Sequence, residues 1–508
     1  MGRTERTLQN GLWGLVHKLI AIVSPFVIRT AIIYYLGGEY LGLNGLYTSI
    51  LQVLNLAELG FSSAITFSLY KPLAEKDVAT VNALMAFYRK VYKCVGLIIL
   101  GVGITLSPFI SHLIKGDIPV GINIYVLYFM YLANASTSYL LFAYKQALLD
   151  ANQRNDIISK TLALTHTLQY IVQIAALIAF KNYYAYYIVA PIATCIYNIV
   201  LSVKVDRMFP QYSPSGKLPK AAIHDLVKRI GGVVIGKVCT TTRSAVASIM
   251  LSAILGLMTV AIYTNYFLIV TSVSGIMTVI GVSMSASVGN AMITESEAKC
   301  HDQFQTFTFM YAWISVWFAV SMLCLYQPFM LFWVGESYMF PSLMAILFSS
   351  YFFLLTSGDI RSVYMNAKGL WWENKWRTIG EAVSNVLFSF LLIRYWGVPG
   401  AVIGPLLSLL IFNFFYSTVI LYRYCFPSHD KKSYFFNYSI YTVGYVACAV
   451  LTYQVCSLCP LTILGFIVRC IICLILPNII LFLLFSHHRY WKKSIAFARQ
   501  IKSNRQSL

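Results

Sequence analysis

The apolar run "GLWGLVHKLIAIVSPFVIRTAIIYYLG", residues 11 to 37, carries His17, Lys18 and Arg29 in its body. A charge inside a membrane helix is costly unless it faces water, protein or a ligand, so basic residues there mark a functional position. Lys18 and Arg29 are eleven residues apart. At 100° per residue that is three turns plus about 20°, so both project from one face, ~16 Å apart along the axis. A later run, "GKVCTTTRSAVAS", holds Lys237 and Arg243. Thr240 and Thr241 share the side of Lys237, and Arg243 lies about 120° round. Gln52, Asn55 and Glu58 recur at spacing three, a polar strip that offers Glu58 as counter-ion to Arg29 or Lys18. Long basic side chains near a span end also snorkel, and Arg469 is read that way or as paired locally. For the other four, matched placement in two halves of the chain argues against snorkelling. Glu58 is the one acid deep in the first two spans of either half, so internal pairing cannot account for all four cations. The missing partner is an anionic substrate, held by Arg through paired hydrogen bonds and by Lys as a point charge.

The elements that must position these residues are membrane helices. With 58% apolar and 11% charged residues and a mean hydropathy of +0.70, the 508-residue chain is that of a polytopic membrane protein. Stretches long enough to cross a bilayer lie at 11–36, 41–70, 91–114, 121–144, 156–180, 182–203, 230–254, 257–290, 304–325, 339–360, 376–397, 399–422, 434–456 and 461–486. The expectation is therefore an all-α membrane protein of fourteen transmembrane helices. The first run is too long for a signal-peptide core and has no small-residue cleavage site, so the N-terminus is expected to be retained.

The +20 net charge is not a nucleic-acid footprint. Of 38 Lys and Arg residues, thirty lie at the N-terminus, in every second connection and in the tail. Three (Lys115, Lys181 and Arg394) lie in or at the edge of the opposite connections, and five (Lys18, Arg29, Lys237, Arg243 and Arg469) lie deeper within spans. By the positive-inside rule both termini are cytoplasmic. The opposite connections are all short and leave no room for an external domain.

The densest Pro, Ser and Gly cluster, in "DRMFPQYSPSGKLPKAAIHDLVKR", reads as a linker between two lobes. The expected organisation is an N-terminal lobe at 1–205 (spans 1–6), a cytoplasmic linker at 206–229 and a C-terminal lobe at 230–425 (spans 7–12). Spans 13 and 14 follow at 426–486, then a basic tail at 487–508 that rests on anionic lipid. A shift of 219 residues lays "YYLGGEYLGLNGLYTSIL" over "AILGLMTVAIYTNYFLIV", matching Leu36-Gly37 with Leu255-Gly256, Tyr47 with Tyr266, and Lys18 with Lys237. Transporters are often built from such repeats. Asp359, Arg361 and Glu381 flank one inner connection and read as a water-facing salt-bridge cluster. Eleven scattered cysteines imply no disulfide framework; Cys456 and Cys459 in "QVCSLCP", expected in an outer loop, form a C-x-x-C with no His or second pair, so no metal site is expected. Phosphate-loop, nucleophile-elbow, zinc-protease and dinucleotide patterns are all missing, which speaks against an ATPase or hydrolase.

Two stretches resemble bacterial polysaccharide repeat-unit flippases, the Wzx-type transporters of the MOP exporter superfamily. They are "YYLGGEYLGLNGLYTSILQVLNLAELGFSSAITFSLYKPLAEKD" and "NAKGLWWENKWRTIGEAVSNVLFSFLLIRYWGVPGAVIGPLLS". The resemblance implies two six-helix bundles round a central cavity, spans 13 and 14 peripheral, and a location in the bacterial cytoplasmic membrane. It also implies a substrate, an undecaprenyl-diphosphate-linked oligosaccharide moved from the inner to the outer leaflet by alternating access. Arg29, Lys237, Lys18 and Arg243 would then line the cationic cavity. The expected protein is not an enzyme and has no cofactor and no metal. Its expected partners are the lipid-linked glycan, membrane lipids and polysaccharide polymerase or assembly proteins, with no nucleic acid, and it acts as a monomer. A cation or drug antiporter of the same superfamily would need a carboxylate-rich cavity. A membrane glycosyltransferase or polymerase on the same lipid carrier would need a catalytic outer loop.

Overall fold

The computed structural model describes residues 3–55, 61–116 and 118–506, and their side chains apart from those of 3–8, 61–64, 221, 225, 227–235, 237, 286, 498 and 500–506. The described residues form helices and connections, with no strand. The chain divides into two compact units, Met1–Ala261 and Ile262–Leu508. The first contains α1 (Arg3–Tyr35), α2 (Gly38–Leu54), α3 (Phe61–Ala74), α4 (Val78–Leu106), α5 (Ile124–Leu140), α6 (Gln146–Ala151), α7 (Asn155–Phe180), α8 (Tyr183–Tyr187), α9 (Val189–Met208) and α10 (Lys220–Leu255). The division falls within α11 (Leu257–Thr294). The second contains α12 (Glu297–Val334), α13 (Ser342–Ser357), α14 (Asp359–Ala367), α15 (Lys375–Trp396), α16 (Gly400–Ser408), α17 (Ser417–Tyr424), α18 (Lys431–Ser457), α19 (Ile463–Phe485) and α20 (Arg489–Gln506).

Among the described residues, eleven helices are long and apolar enough to cross a membrane, or twelve if α5 and the segment Ala143–Ala151, bent by 44°, count as one span. Two of the fourteen expected spans fall outside that number. The span at 41–70 includes residues 56–60, which lie outside the described residues, with α2 and α3 described on either side. The span at 376–397 is the continuous helix α15, which carries Lys375, Arg377, Glu381 and Arg394.

The repeat seen in the sequence reappears as backbone geometry. Gly37, between α1 and α2, has φ 114° and ψ 167°; Gly256, between α10 and α11, has φ 96° and ψ 173°. Only glycine adopts this region without strain, so each pair of helices turns at the residue that the 219-residue shift superposes. Tyr47 and Tyr266 follow. Both are fully buried. Tyr47 donates from Oη to the carbonyl of Ile124, the first residue of α5, at 2.8 Å. Tyr266 donates to Gln327 Oε1 at 2.9 Å and accepts from the N–H of Phe340, just before α13, at 3.2 Å. In each unit, then, a buried tyrosine on the helix after the turn is tied to the entry of a later span.

Helix α10 packs against α2 and α3 in the first unit. The last carbonyls of α10, which have no partner within the helix, are taken by Lys115: its N–H donates to Ser252 O at 3.1 Å and its Nζ to Ile254 O at 2.7 Å. A lysine beside a helix C-terminus also answers the negative end of the helix dipole. At Gly42 the packing is so close that a Cβ would sit 2.1 Å from the carbonyl oxygen of Leu257.

Candidate functional site

Helix α1 presents three kinds of face. Leu12, Leu15, Leu19, Val23 and Val27 form an exposed apolar stripe, the pattern of a lipid-facing surface, while Ile28 and Ile32 are buried. By helical angle Lys18 and Arg29 fall between the two, on the border where apolar surface gives way to protein. Lys18 is exposed and Arg29 half-buried. The first half of the buried side docks on α7 and the residues just before it through polar and aromatic groups. Asn10 donates from Nδ2 to Gln153 O at 3.0 Å and accepts from the N–H of Asp156 at 2.6 Å. Lys160 Nζ lies 5.2 Å from the ring of Trp13, and the rings of His17 and His166 are 5.8 Å apart.

Arg29 lies within electrostatic range of Tyr186 and Tyr183 on α8. The short helix "YYAYY" is anchored by Asn182, whose Oδ1 accepts from the N–H groups of Tyr184 and Ala185 at 2.8 and 3.2 Å. Its tyrosines join a larger cluster: Tyr131 and Tyr187 stack at 3.7 Å between centroids, and Tyr131 and Tyr183 share a hydrogen bond of 2.8 Å between hydroxyls. The guanidinium therefore stands beside phenolic groups, which can share hydrogen bonds with a ligand.

A polar cavity of about 350 Å³ lies in the same unit. It is lined by Tyr88 and Tyr92 of α4, Ser138 and Tyr139 of α5, Gln146 of α6, His166 and Gln169 of α7, and Thr194, Tyr197 and Asn198 of α9. Its wall is braced by Tyr88 Oη donating to Tyr92 Oη at 2.7 Å and Tyr197 Oη to Gln146 Oε1 at 3.2 Å. Hydroxyls, amides and ring faces predominate, and none of the lining residues is a carboxylate. A line of long hydrogen bonds leads from it toward Arg29: Gln169 Nε2 to Gln173 Oε1 at 3.5 Å, then Gln173 Nε2 to Tyr186 O at 3.5 Å. At the other end His166 meets His17, the residue before Lys18.

The remaining sequence-derived candidates are placed as follows. Arg243 is half-buried on α10 and directs Nη2 at Cys239 Sγ, 3.9 Å away and one turn earlier. Lys237 belongs to α10, but its side chain lies outside the described residues, as does Glu58 entirely. Gln52 is exposed on α2. Asn55 caps the C-terminus of that helix by its backbone N–H, and its Oδ1 is buried with no hydrogen-bond partner. The spacing of three that defined the strip thus crosses a helix end.

The Asp359, Arg361 and Glu381 group is not the water-facing cluster expected. Arg361 is fully buried. It donates to Tyr434 Oη and, at 2.9 Å, to the Asn413 carbonyl, and it lies over the rings of Phe414 and Tyr434. Asn413 sits in a π-helical turn, Leu409–Tyr416, where the widened ladder leaves carbonyls to be taken by side chains. Asp359 accepts from Tyr311 Oη at 2.6 Å, and Glu381 pairs with Arg377 at 2.6 Å. Arg469 is also buried, and pairs locally through Nη2 and the Cys459 carbonyl at 2.6 Å. Cys456 is in the last turn of α18 and not in a loop.

Residues His166, Gln169, Tyr92, Tyr197 and Asn198 were not singled out from the sequence. The available signal was one or two polar side chains in each of several apolar runs, which becomes a site only when the helices are assembled.

No protein-family model and no curated relative matches the sequence. Solved structures do match. The lipid II flippase MurJ in an inward closed conformation aligns with a TM-score of 0.66 at 13% identity, over 94% of this chain and 99% of that one. An inward-facing multidrug resistance MATE family transporter of the MOP superfamily aligns at 0.60 and 16% identity, over 78% of this chain and 94% of that one. The eukaryotic MATE transporter AtDTX14 aligns at 0.57 and 13% identity, over 82% and 95%. The chain is thus a multi-pass, all-helical membrane protein with a MATE- and MurJ-like fold, and its structural neighbours are transporters of the MOP superfamily.

Proposed function

We propose that this protein is a fourteen-span flippase of the bacterial cytoplasmic membrane. It moves a polyprenyl-diphosphate-linked oligosaccharide, with undecaprenyl as the carrier, from the inner to the outer leaflet by alternating access for polysaccharide assembly. The observation that carries this reading is the polar line in the first unit, from Lys18 and His17 past His166, Gln169 and Gln173 to Tyr186 and Arg29. A diphosphate cannot enter hydrocarbon unpaired, and Arg29 offers the planar fork that phosphate accepts. Lys18, Lys237 and Arg243 add positive charge. The cavity of the first unit suits a sugar, since hydroxyls and amides can exchange hydrogen bonds with a glycan and tyrosine faces can cover its apolar side. The flippase among the structural neighbours supports the same reading. The antiporter reading draws on the MATE neighbours and on Asp359 in the second unit, but the cavity wall supplies no carboxylate for a cationic cargo.

The test is transport in liposomes containing the purified protein and a fluorescent undecaprenyl-diphosphate oligosaccharide, read by an impermeant quencher. The expected result is protein-dependent exposure of the lipid, slowed about 10- to 100-fold by Arg29→Ala, the loss of charge-assisted hydrogen bonds worth about 1.5–3 kcal/mol. Exposure no faster than in protein-free vesicles, together with exchange of a cationic dye for protons, would overturn the proposal in favour of the antiporter.

A further inference from the structure

Three cysteines from three helices meet in the second unit: Cys324 of α12, Cys456 of α18 and Cys473 of α19. Each is at most 2% exposed. Their sulfurs all lie within 4.8 Å of one another, and Cys456 Sγ and Cys473 Sγ are 3.9 Å apart. A metal–sulfur bond of about 2.3 Å spreads a trigonal set of sulfurs about 4 Å apart, so the trio is near closing distance already.

The surroundings point the same way. Arg469 is 9% exposed; one nitrogen, Nη2, is bonded to the Cys459 carbonyl, and Nε is buried with no hydrogen-bond partner. Its charge lies within electrostatic range of Cys324 and Cys456, where it would offset the negative charge of a thiolate–metal group. A cavity of about 770 Å³, bordered by Cys324, Cys456, Arg469, Gln327 and Tyr453, gives access. Two of the cysteines stand four residues before a helix proline, Cys324 before Pro328 and Cys473 before Pro477. Proline has no N–H to close the ladder on those carbonyls. The Cys473 carbonyl is held instead by Trp317 Nε1 at 2.9 Å.

We propose that Cys324, Cys456 and Cys473 bind one Cu(I) ion in a three-coordinate thiolate site. An all-sulfur donor set selects soft ions. Three ligands fall short of the four that a structural zinc site requires. The ion stays Cu(I) throughout; each thiol that ligates releases its proton through the cavity to solvent, and no oxidant or reductant is consumed. The site belongs to the second unit and does not depend on the glycan reading.

The test uses the full-length protein in detergent, reduced with a phosphine and titrated with Cu(I) held by bicinchoninate, whose colour is lost as the ion transfers. The expected result is one Cu(I) per chain, with affinity at least 100-fold weaker in Cys456→Ser and Cys473→Ser and unchanged in Cys448→Ser, a buried cysteine on α18 outside the trio. Equal binding by Cys456→Ser and the unaltered protein would overturn the proposal. X-ray absorption of the copper-loaded unaltered protein needs no variant to fold: three sulfurs in the first shell are expected, and nitrogen or oxygen ligands there would overturn it.

Discussion

Arg29 and Lys18 share a face but not an environment. Arg29 is half-buried within electrostatic range of Tyr186 and Tyr183 and carries a planar fork, whereas Lys18 is exposed and contributes charge without direction. Arg29→Lys is therefore expected to retain part of glycan export and Arg29→Glu none, measured as surface polysaccharide at matched protein level. Lys237→Ala is expected to lower export as Arg29→Ala does. Arg361 has a different role. Fully buried and bonded to Tyr434 and Asn413, it holds three helical segments together. Arg361→Leu removes those bonds and leaves buried acceptors unpaired, at a cost of about 2–5 kcal/mol, expected as lost yield and a lowered unfolding temperature in detergent. Arg469→Ala is expected to lower the unfolding temperature while leaving export intact. These roles were unequally legible in sequence. Lys18 and Arg29 stood out because charge is rare in apolar runs. Arg361 misled because its local neighbours are polar, while the tyrosine that buries it lies 73 residues away. Cys456 misled for the same reason: its C-x-x-C partner Cys459 is close in sequence, and the cysteines it meets in space are Cys324 and Cys473.

The helices and the turns between them were more readable, because a helix that must cross hydrocarbon declares itself over some twenty residues. The offset of 219 residues put Gly37 on Gly256 and Tyr47 on Tyr266, and both pairs have matching geometry or bonding. Composition did not disclose where α2 ends, since Asn55 at its C-cap lies in an apolar run that continues to residue 70. Gly37→Ala and Gly256→Ala are each expected to cost about 1–3 kcal/mol, because alanine is strained at those dihedral angles. Tyr47→Phe and Tyr266→Phe are expected to cost about 0.5–1.5 kcal/mol each. Thermal unfolding of the four variants in detergent would check the ranking; a phenylalanine variant less stable than its glycine counterpart would contradict it.

For the molecule as a whole, the distribution of Lys and Arg predicts which ends face the cytoplasm. Glu39, Glu336 and Ser215 are all exposed, so cysteines placed there in a background lacking the native eleven are sterically open to labelling. An impermeant thiol reagent is expected to modify positions 39 and 336 in intact cells, and 215 only after permeabilisation. Labelling of 215 in intact cells would reverse the orientation.

The seat of α10 on α2, and the hold of Lys115 on its last carbonyls, bear on how the protein is made. A ribosome that has delivered the first 205 residues has not delivered a finished unit: the surface around Gly42 still lacks Leu257, and the Lys115 ammonium still lacks its acceptors. Some fifty more residues must enter the membrane before that surface closes. Until then the nascent chain offers lipid a seam shaped for its own later helix.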